Sequence, residues 1–246
     1  MSSAIAFDHA SFAYGDGRVV VADLDLEIAA GELFALVGRS GAGKSTLLRL
    51  VNRLTLPTGG RVLVDGRDTR EWEPIALRRR IGFVQQDVGL FPHMTVAENI
   101  GLLARIERWP AERITSRIEE LLKLVSLPLD LRDRWPDELS GGQQQRVGVA
   151  RALMLDPPVL LMDEPFGALD PLTRVALRRE FRHLQSSLRK TVIIVTHDML
   201  EAFELGDRIG TFDDGRLVAV GTRRDLEASP HPMVRALMAT LQPQPS

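Results

Sequence analysis

The sequence predicts an α/β domain with an antiparallel β subdomain and a helical subdomain. Three observations predict it. An apolar run, Leu33-Phe34-Ala35-Leu36-Val37, leads into a glycine-rich loop and then a helix-like stretch, Leu47-Leu48-Arg49-Leu50-Val51. Two further continuous apolar runs, Val159-Leu160-Leu161-Met162 and Val192-Ile193-Ile194-Val195, are separated by a long helical pattern carrying Val175, Leu177, Phe181 and Leu184. Apolar strands joined through helices indicate a parallel sheet covered on both faces. The N-terminal residues instead alternate and turn often, as short antiparallel strands do.

In order along the chain, residues 4–35 give Ile5-Ala6-Phe7, a Gly15-Asp16-Gly17 turn, Val19-Val20-Val21 and Leu24-Asp25-Leu26-Glu27-Ile28, each with strand length. After the glycine-rich loop and its helix, Thr58-Gly59-Gly60 marks a turn, and Arg61-Val62-Leu63-Val64 returns as a strand. Ile81-Gly82-Phe83-Val84 is another. From about 94 to 155 the period becomes helical, with Ile114, Ile118, Leu121, Leu122 and Val125 three and four apart. After the last apolar strand come a strand pair, Arg208-Ile209-Gly210-Thr211-Phe212 and Arg216-Leu217-Val218-Ala219-Val220, and a short helix. One domain is expected over residues 1–240, with a disordered tail at 241–246.

With 246 residues there is ample material for a core, and 44% hydrophobic with 26% charged residues is the ordinary balance of a globular protein. A net charge of −2 gives no reason to expect nucleic acid as a partner. The absence of cysteine excludes disulfides and thiolate metal sites. No apolar run approaches the roughly 20 residues of a membrane span, and the N-terminus lacks the plan of a signal peptide. The expectation is a cytosolic chain that reaches a membrane only through another protein.

The loop Gly38-Arg39-Ser40-Gly41-Ala42-Gly43-Lys44-Ser45-Thr46 fits the pattern G-x-x-x-x-G-K-[ST]. Its glycines let successive N–H groups point at phosphate oxygens, and the helix that follows adds the positive end of its dipole. Lys44 can reach the β- and γ-phosphates, and the Ser45 hydroxyl can hold Mg²⁺. The run 159–162 ends in Asp163 and Glu164. Asp163 would supply a second anchor for Mg²⁺, and Glu164 is placed to polarise water against the γ-phosphate. A second glycine-bearing helix start, Leu139-Ser140-Gly141-Gly142-Gln143-Gln144-Gln145-Arg146, is a second anion-binding candidate. One nucleotide has no use for two such loops from one chain, so the second asks for a partner chain.

These segments together resemble the ATP-binding subunits of ABC transporters, over essentially the whole chain, and within that family the cassettes of osmoprotectant importers for glycine betaine, choline and proline betaine. The resemblance implies a P-loop NTPase fold with a RecA-like core, ATP and Mg²⁺ as ligands, and a head-to-tail homodimer. In that dimer the phosphate loop of one chain and the signature (Ser140, Gly142, Gln143) of the other enclose each nucleotide. It implies that Tyr14 stacks on adenine, that Gln86, neighboured by Gln85, contacts Mg²⁺ and water, that Asp170 in Gly167-Ala168-Leu169-Asp170 communicates across the dimer, and that His197 contacts the γ-phosphate. It further implies transmembrane permease subunits, a substrate-binding protein and a peripheral position on the cytoplasmic face of the inner membrane. Arg39 departs from the proline common at its position and adds a cation near the nucleotide. The osmoprotectant assignment rests on Val51-Asn52-Arg53-Leu54, on Gly89-Leu90-Phe91-Pro92-His93-Met94-Thr95-Val96 and on Gln143-Gln144-Gln145-Arg146-Val147-Gly148-Val149-Ala150-Arg151-Ala152, whose residues do not touch solute; another small solute, such as an amino acid or a phosphonate, is the alternative. Larger members append paired CBS domains. About 26 residues follow Val220 here, and no such domain is expected.

Overall fold

The structure, a computed structural model, describes residues 3–167 and 169–241. The chain runs β1 (Ser3–Ala13), β2 (Val19–Ala29), β3 (Leu33–Gly38), α1 (Lys44–Val51), β4 (Gly59–Val64), β5 (Arg67–Asp68), α2 (Pro74–Arg79), β6 (Ile81–Val84), α3 (Val96–Ile106) and α4 (Ala111–Leu124). It continues through two 3-10 turns into α5 (Gly141–Ala152), β7 (Val159–Asp163), α6 (Pro171–Leu188), β8 (Thr191–Thr196), α7 (Met199–Leu205), β9 (Arg208–Asp213), β10 (Arg216–Gly221), α8 (Arg223–Glu227) and α9 (Pro232–Ala239). Two compact units result, one of Met1–Arg78 with Arg189–Ser246 and one of Arg79–Leu188. The helical segment expected at about 94–155 lies inside the second. The tail expected to be disordered lies, apart from Leu241, outside the described residues.

In the first unit β1 pairs antiparallel with β2 and with β4, and β4 with β5. The short strands expected around residues 19–28 are one strand of 11 residues. The break in alternation near Asp23 is a bulge. His9 and Asp23 both take left-handed backbones (φ 47° and 48°), and the register shifts between Phe7 and Ala10. Side chains hold the bulge in place: His9 Nδ1 lies 2.9 Å from Asp23 Oδ1, and the Asp23 N–H donates to Ser11 Oγ at 2.9 Å. Paired carboxylates raise the His9 imidazole above its ordinary pKa, chiefly through the hydrogen bond to Asp23.

The parallel part of this unit is β9-β3-β8. Phe34 aligns with Arg208 on one side and with Ile193 on the other. Every residue of β3 and of β8 is buried, as strands covered on both faces require. Val37 aligns with Thr196, so the residues that follow β3 and β8 leave from the same carboxyl edge. The expected pair at 208–220 is an antiparallel hairpin, and its first strand also joins β3 in parallel. Phe34, Leu36, Leu48, Leu50 and Phe212 are essentially fully buried in the core of this unit. Each contributes about 1.5–3 kcal/mol over the exposed state.

The second unit joins β6 and β7 in parallel, with Val84 opposite Met162. Gly82 has no room for a side chain, since a Cβ would stand 2.6 Å from the Ala152 carbonyl oxygen of α5. Thr95 and Glu98 form a reciprocal cap on α3, which fixes where the helical segment begins. Pro110 precedes α4 and Pro128 the first 3-10 turn, while Pro136 is the first residue of the second.

Candidate functional site

The phosphate loop leaves β3 at Gly38 and enters α1 at Lys44. Two of its glycines are forced by their surroundings. A Cβ on Gly38 would lie 2.1 Å from the Phe212 carbonyl oxygen. Gly43 has φ 104°, and a Cβ there would meet the Val20 carbonyl oxygen at 2.5 Å. Gly43 is the N-cap of α1 and offers no side chain, so nothing in the sequence caps this helix start, and its first turn holds no acidic residue. The positive end of its dipole therefore meets no carboxylate of its own first turn, which favours an anion there. Lys44 is 4% exposed, and its ammonium donates to the carbonyls of Gly38 and Arg39, both at 2.8 Å. The charge is thus held inside the loop rather than in water. Arg39, Ser40 and Gly41 are exposed, Ala42 and Ser45 are half-buried, and Thr46 is buried.

His197 follows β8 and is exposed. The register of β3 with β8 puts it at the strand edge from which the phosphate loop departs, the edge at which open α/β sheets bind ligands. Tyr14 lies in the turn between β1 and β2 and is 40% exposed. Its ring meets Phe12 edge-on at 5.1 Å and the Arg18 guanidinium at 5.1 Å. Val20 of the same hairpin is the neighbour that Gly43 accommodates. The first unit therefore brings Tyr14, the loop and His197 onto adjoining elements.

The second unit assembles the remaining residues. Gln85 and Gln86 follow β6 and are exposed; Asp163 ends the neighbouring β7 and is half-buried, as is Glu164. Glu164 has a left-handed backbone, φ 45°, which turns the chain sharply after the strand. Its carbonyl accepts from the Gly167 N–H at 3.1 Å. Ser140 is the N-cap of α5, where its Oγ accepts from the Gln143 N–H at 3.3 Å and Gln143 Oε1 accepts from the Ser140 N–H at 2.9 Å. Gly142 faces α6, with Thr173 Cγ2 at 2.8 Å from where a Cβ would stand. Asp170 accepts from the Thr173 N–H at 3.0 Å at the start of α6. Hydrogen bonding from Thr173 holds its carboxyl below the ordinary value. Ala168 lies outside the described residues.

Two residues that sequence reasoning left without a role hold these loops. Arg151, from α5, donates to the carbonyls of Val88 (2.5 Å) and Gly89 (2.7 Å), fixing the segment after Gln85 and Gln86. Burial pulls its guanidinium pKa down. Arg174, from α6, donates to the carbonyls of Leu169 (2.9 Å) and Gly167 (3.3 Å), fixing the segment before Asp170. Both act through backbone carbonyls, and a side chain's bonds to backbone carbonyls leave no signal in residue spacing.

The sequence profile described as ABC transporter matches residues 21–167, more than half of the chain. The chain belongs to the ABC transporter family. It is 49% identical over 226 residues to the glycine betaine/carnitine/choline transport ATP-binding protein OpuCA of Bacillus subtilis, covering 92% of this chain and 60% of that protein. It is also 49% identical over 211 residues to the sulfate/thiosulfate import ATP-binding protein CysA of Caulobacter vibrioides, covering 84% of this chain and 61% of that one. The chain thus spans about three-fifths of the length of these curated relatives. Among solved structures, cbiO1 from Clostridium perfringens, part of the transporter complex cbiONQ, superposes with a TM-score of 0.86 at 29% identity, covering 93% of this chain and 92% of that one. A dimeric ATP-binding cassette in a post-hydrolysis state with ADP and Pi superposes at 0.79 with 34% identity, covering 89% and 98%. The α/β P-loop cassette fold expected from the sequence is therefore the fold of this ABC family chain.

Proposed function

We propose that the chain is the ATP-hydrolysing subunit of an ABC importer, acting as a homodimer on separate permease subunits at the cytoplasmic face of the inner membrane. The observation that carries this reading is the start of α1, an uncapped helix N-terminus behind a glycine loop with a buried lysine at its first position. Such a loop suits a polyphosphate. The N–H groups of the loop and Lys44 hold the β- and γ-phosphates, and Tyr14 stacks on adenine. Ser45, Gln86 and Asp163 offer oxygen donors, the set that Mg²⁺ prefers. When bound, Mg²⁺ supplies positive charge to the phosphate oxygens. Glu164 polarises the attacking water, and His197 donates to the γ-phosphate. Ser140, Gly142 and Gln143, with Asp170, act on the nucleotide of the opposite chain. Catalysis is then electrostatic, by donors and cations fixed around the charge that develops on the transferred group.

The solute is a small quaternary amine, delivered by a substrate-binding protein. Support comes from relatives named for glycine betaine, carnitine and choline transport. The match to CysA favours a second reading, the same motor driving uptake of another small solute such as an oxyanion. No helix among the described residues is long and apolar enough to cross a membrane, and the permease subunits carry the path in either reading.

Glu164→Gln tests the motor. ATP binding is retained, hydrolysis falls by at least roughly 10²-fold, and gel filtration with ATP and Mg²⁺ gives a dimer. Normal turnover would remove Glu164 from its role. Uptake of radiolabelled choline against radiolabelled sulfate, by vesicles holding the copurified permease, decides between the solutes.

A further inference from the structure

A cavity in the second unit plays no part in the nucleotide reading. It lies between the end of α4, α5 and α6, and its volume is about 390 Å³, within the roughly 300–1,000 Å³ of small-molecule sites. Its walls are apolar, with Val149, Leu177 and the two rings of Phe166 and Phe181, whose centroids are 6.3 Å apart. Its one arginine and one glutamate are already engaged, and the histidine at its rim, His183, is exposed. Arg146 donates to the carbonyls of Val125 (3.2 Å) and Ser126 (3.1 Å) and pairs with Glu180 at 2.8 Å. A cation and an anion so close leave no net charge to attract an ionic ligand.

Gln145 is the exception among these residues. It lines the cavity, is 4% exposed, and its Nε2 has no hydrogen-bond partner among the described residues. A buried amide donor without a partner forfeits the bond that water would have given it. Its terminal torsion is soft, so rotation of the amide can present this donor to an acceptor that enters the cavity.

We propose that this cavity binds a small, uncharged, largely apolar molecule, a ring or compact chain bearing one carbonyl oxygen that accepts from Gln145 Nε2. The volume sets the size, the aromatic walls set the body, the engaged rim excludes an ion, and the unpaired donor asks for one acceptor. The occupant would press on α5, which starts at the signature, and on α6, which starts at Asp170. A ligand here would therefore modulate ATP turnover from outside the nucleotide residues.

Acetanilide and N-ethylaniline form a matched pair of probes, a phenyl ring with and without the carbonyl. Each is titrated into the full chain, with leucine and valine methyl groups labelled for NMR and no nucleotide present. The readout is thus independent of the ATPase reading. The methyl signals of Val149, Leu177 and Leu184 should shift saturably, with acetanilide dissociating at about millimolar concentration, as its ten or so heavy atoms allow. Acetanilide should bind roughly three- to tenfold tighter than N-ethylaniline, the worth of one hydrogen bond. Gln145→Leu keeps the shape and removes the donor. It should abolish the preference and raise the thermal midpoint of the ligand-free protein, because a buried unpaired group is gone. Leu184→Trp, from a half-buried wall position, should fill the cavity and remove binding of both probes. Equal affinity of the two probes for the unmodified chain would overturn the proposal, as would a preference that survives Gln145→Leu or a lack of saturable shifts at the three methyl positions. A lower thermal midpoint for Gln145→Leu would also overturn it, by showing that the amide already has a partner.

Discussion

Two helix starts in this chain look alike in sequence and differ in structure. α1 begins after Gly41-Ala42-Gly43, and α5 begins at Ser140-Gly141-Gly142. The cap of α1 is a glycine with a left-handed backbone and no side chain to offer. The cap of α5 is a serine that closes a reciprocal box with Gln143. The first helix start has no side-chain cap, while two donors at the second are satisfied by its own side chains. The first thus fits the phosphate-binding role proposed for it without losing a cap of its own. The second is closed by its own Ser140–Gln143 bonds, and under the proposed reading it would meet a nucleotide only when two chains come together. Glycine content alone does not distinguish an open anion site from a self-capped one; the side chain at the cap does.

The largest expected effect that would break this contrast is at Lys44. Lys44→Ala should lower ATP hydrolysis about 10²–10³-fold, the usual loss for one fixed charge at the reacting group, and a steady-state ATPase assay reads it. Turnover within a few-fold of the unmodified chain would end the account of the α1 start. Gly43→Ala comes next. Its backbone is strained for any side chain, and the Val20 carbonyl stands in the way. The variant should lose about 1–3 kcal/mol of stability in urea and bind a fluorescent ATP analogue more weakly. Ser140→Ala removes the self-cap and should cost about 1 kcal/mol, with Ser140→Asp restoring most of it. No change in stability would show that the box does not hold α5.

The smallest effect sharpens the comparison at a third helix start, that of α6. The Asp170 carboxyl lies below its usual 3.8 because Thr173 hydrogen-bonds it. A depressed value in the folded state means that the contribution is present above pH 3.8 and is lost as pH falls through the lowered value. Asp170→Ala should therefore reduce the thermal midpoint slightly at neutral pH, and the gap should shrink in acid. A gap that persists unchanged in acid would assign the cap to something other than the ionised carboxylate.

Much of the fold was legible because buried strands and amphipathic helices write their period into the sequence. Val159–Asp163, Thr191–Thr196 and α4 sit close to where alternation and spacing put them. The N-terminal strands were read too short, because the bulge at His9 and Asp23 interrupts alternation without ending the strand. The short α2 and the parallel pairing of β9 with β3 were not read, since six residues hold too little period and pairing partners leave no local mark. The course of the loop at 38–46 from strand to helix was legible, and its Gly38 and Gly43 answer to steric demands. What held Val88, Gly89, Gly167 and Leu169 was not: Arg151 bonds to carbonyls 62 and 63 residues away, and Arg174 bonds to nearby backbone carbonyls that no residue pattern marks.

The central claim is that the open start of α1 in one chain and the self-capped start of α5 in another serve one nucleotide. Lys44→Ala and Ser140→Arg chains, each inactive as a homodimer, are mixed in equal amounts and assayed for ATPase activity. Half the dimers are then mixed, and each mixed dimer carries one intact site of two, so roughly a quarter of the unmodified activity should return for a two-fold symmetric assembly. If the mixture stays as inactive as its components, or if either variant alone keeps full activity, the two helix starts do not share a site.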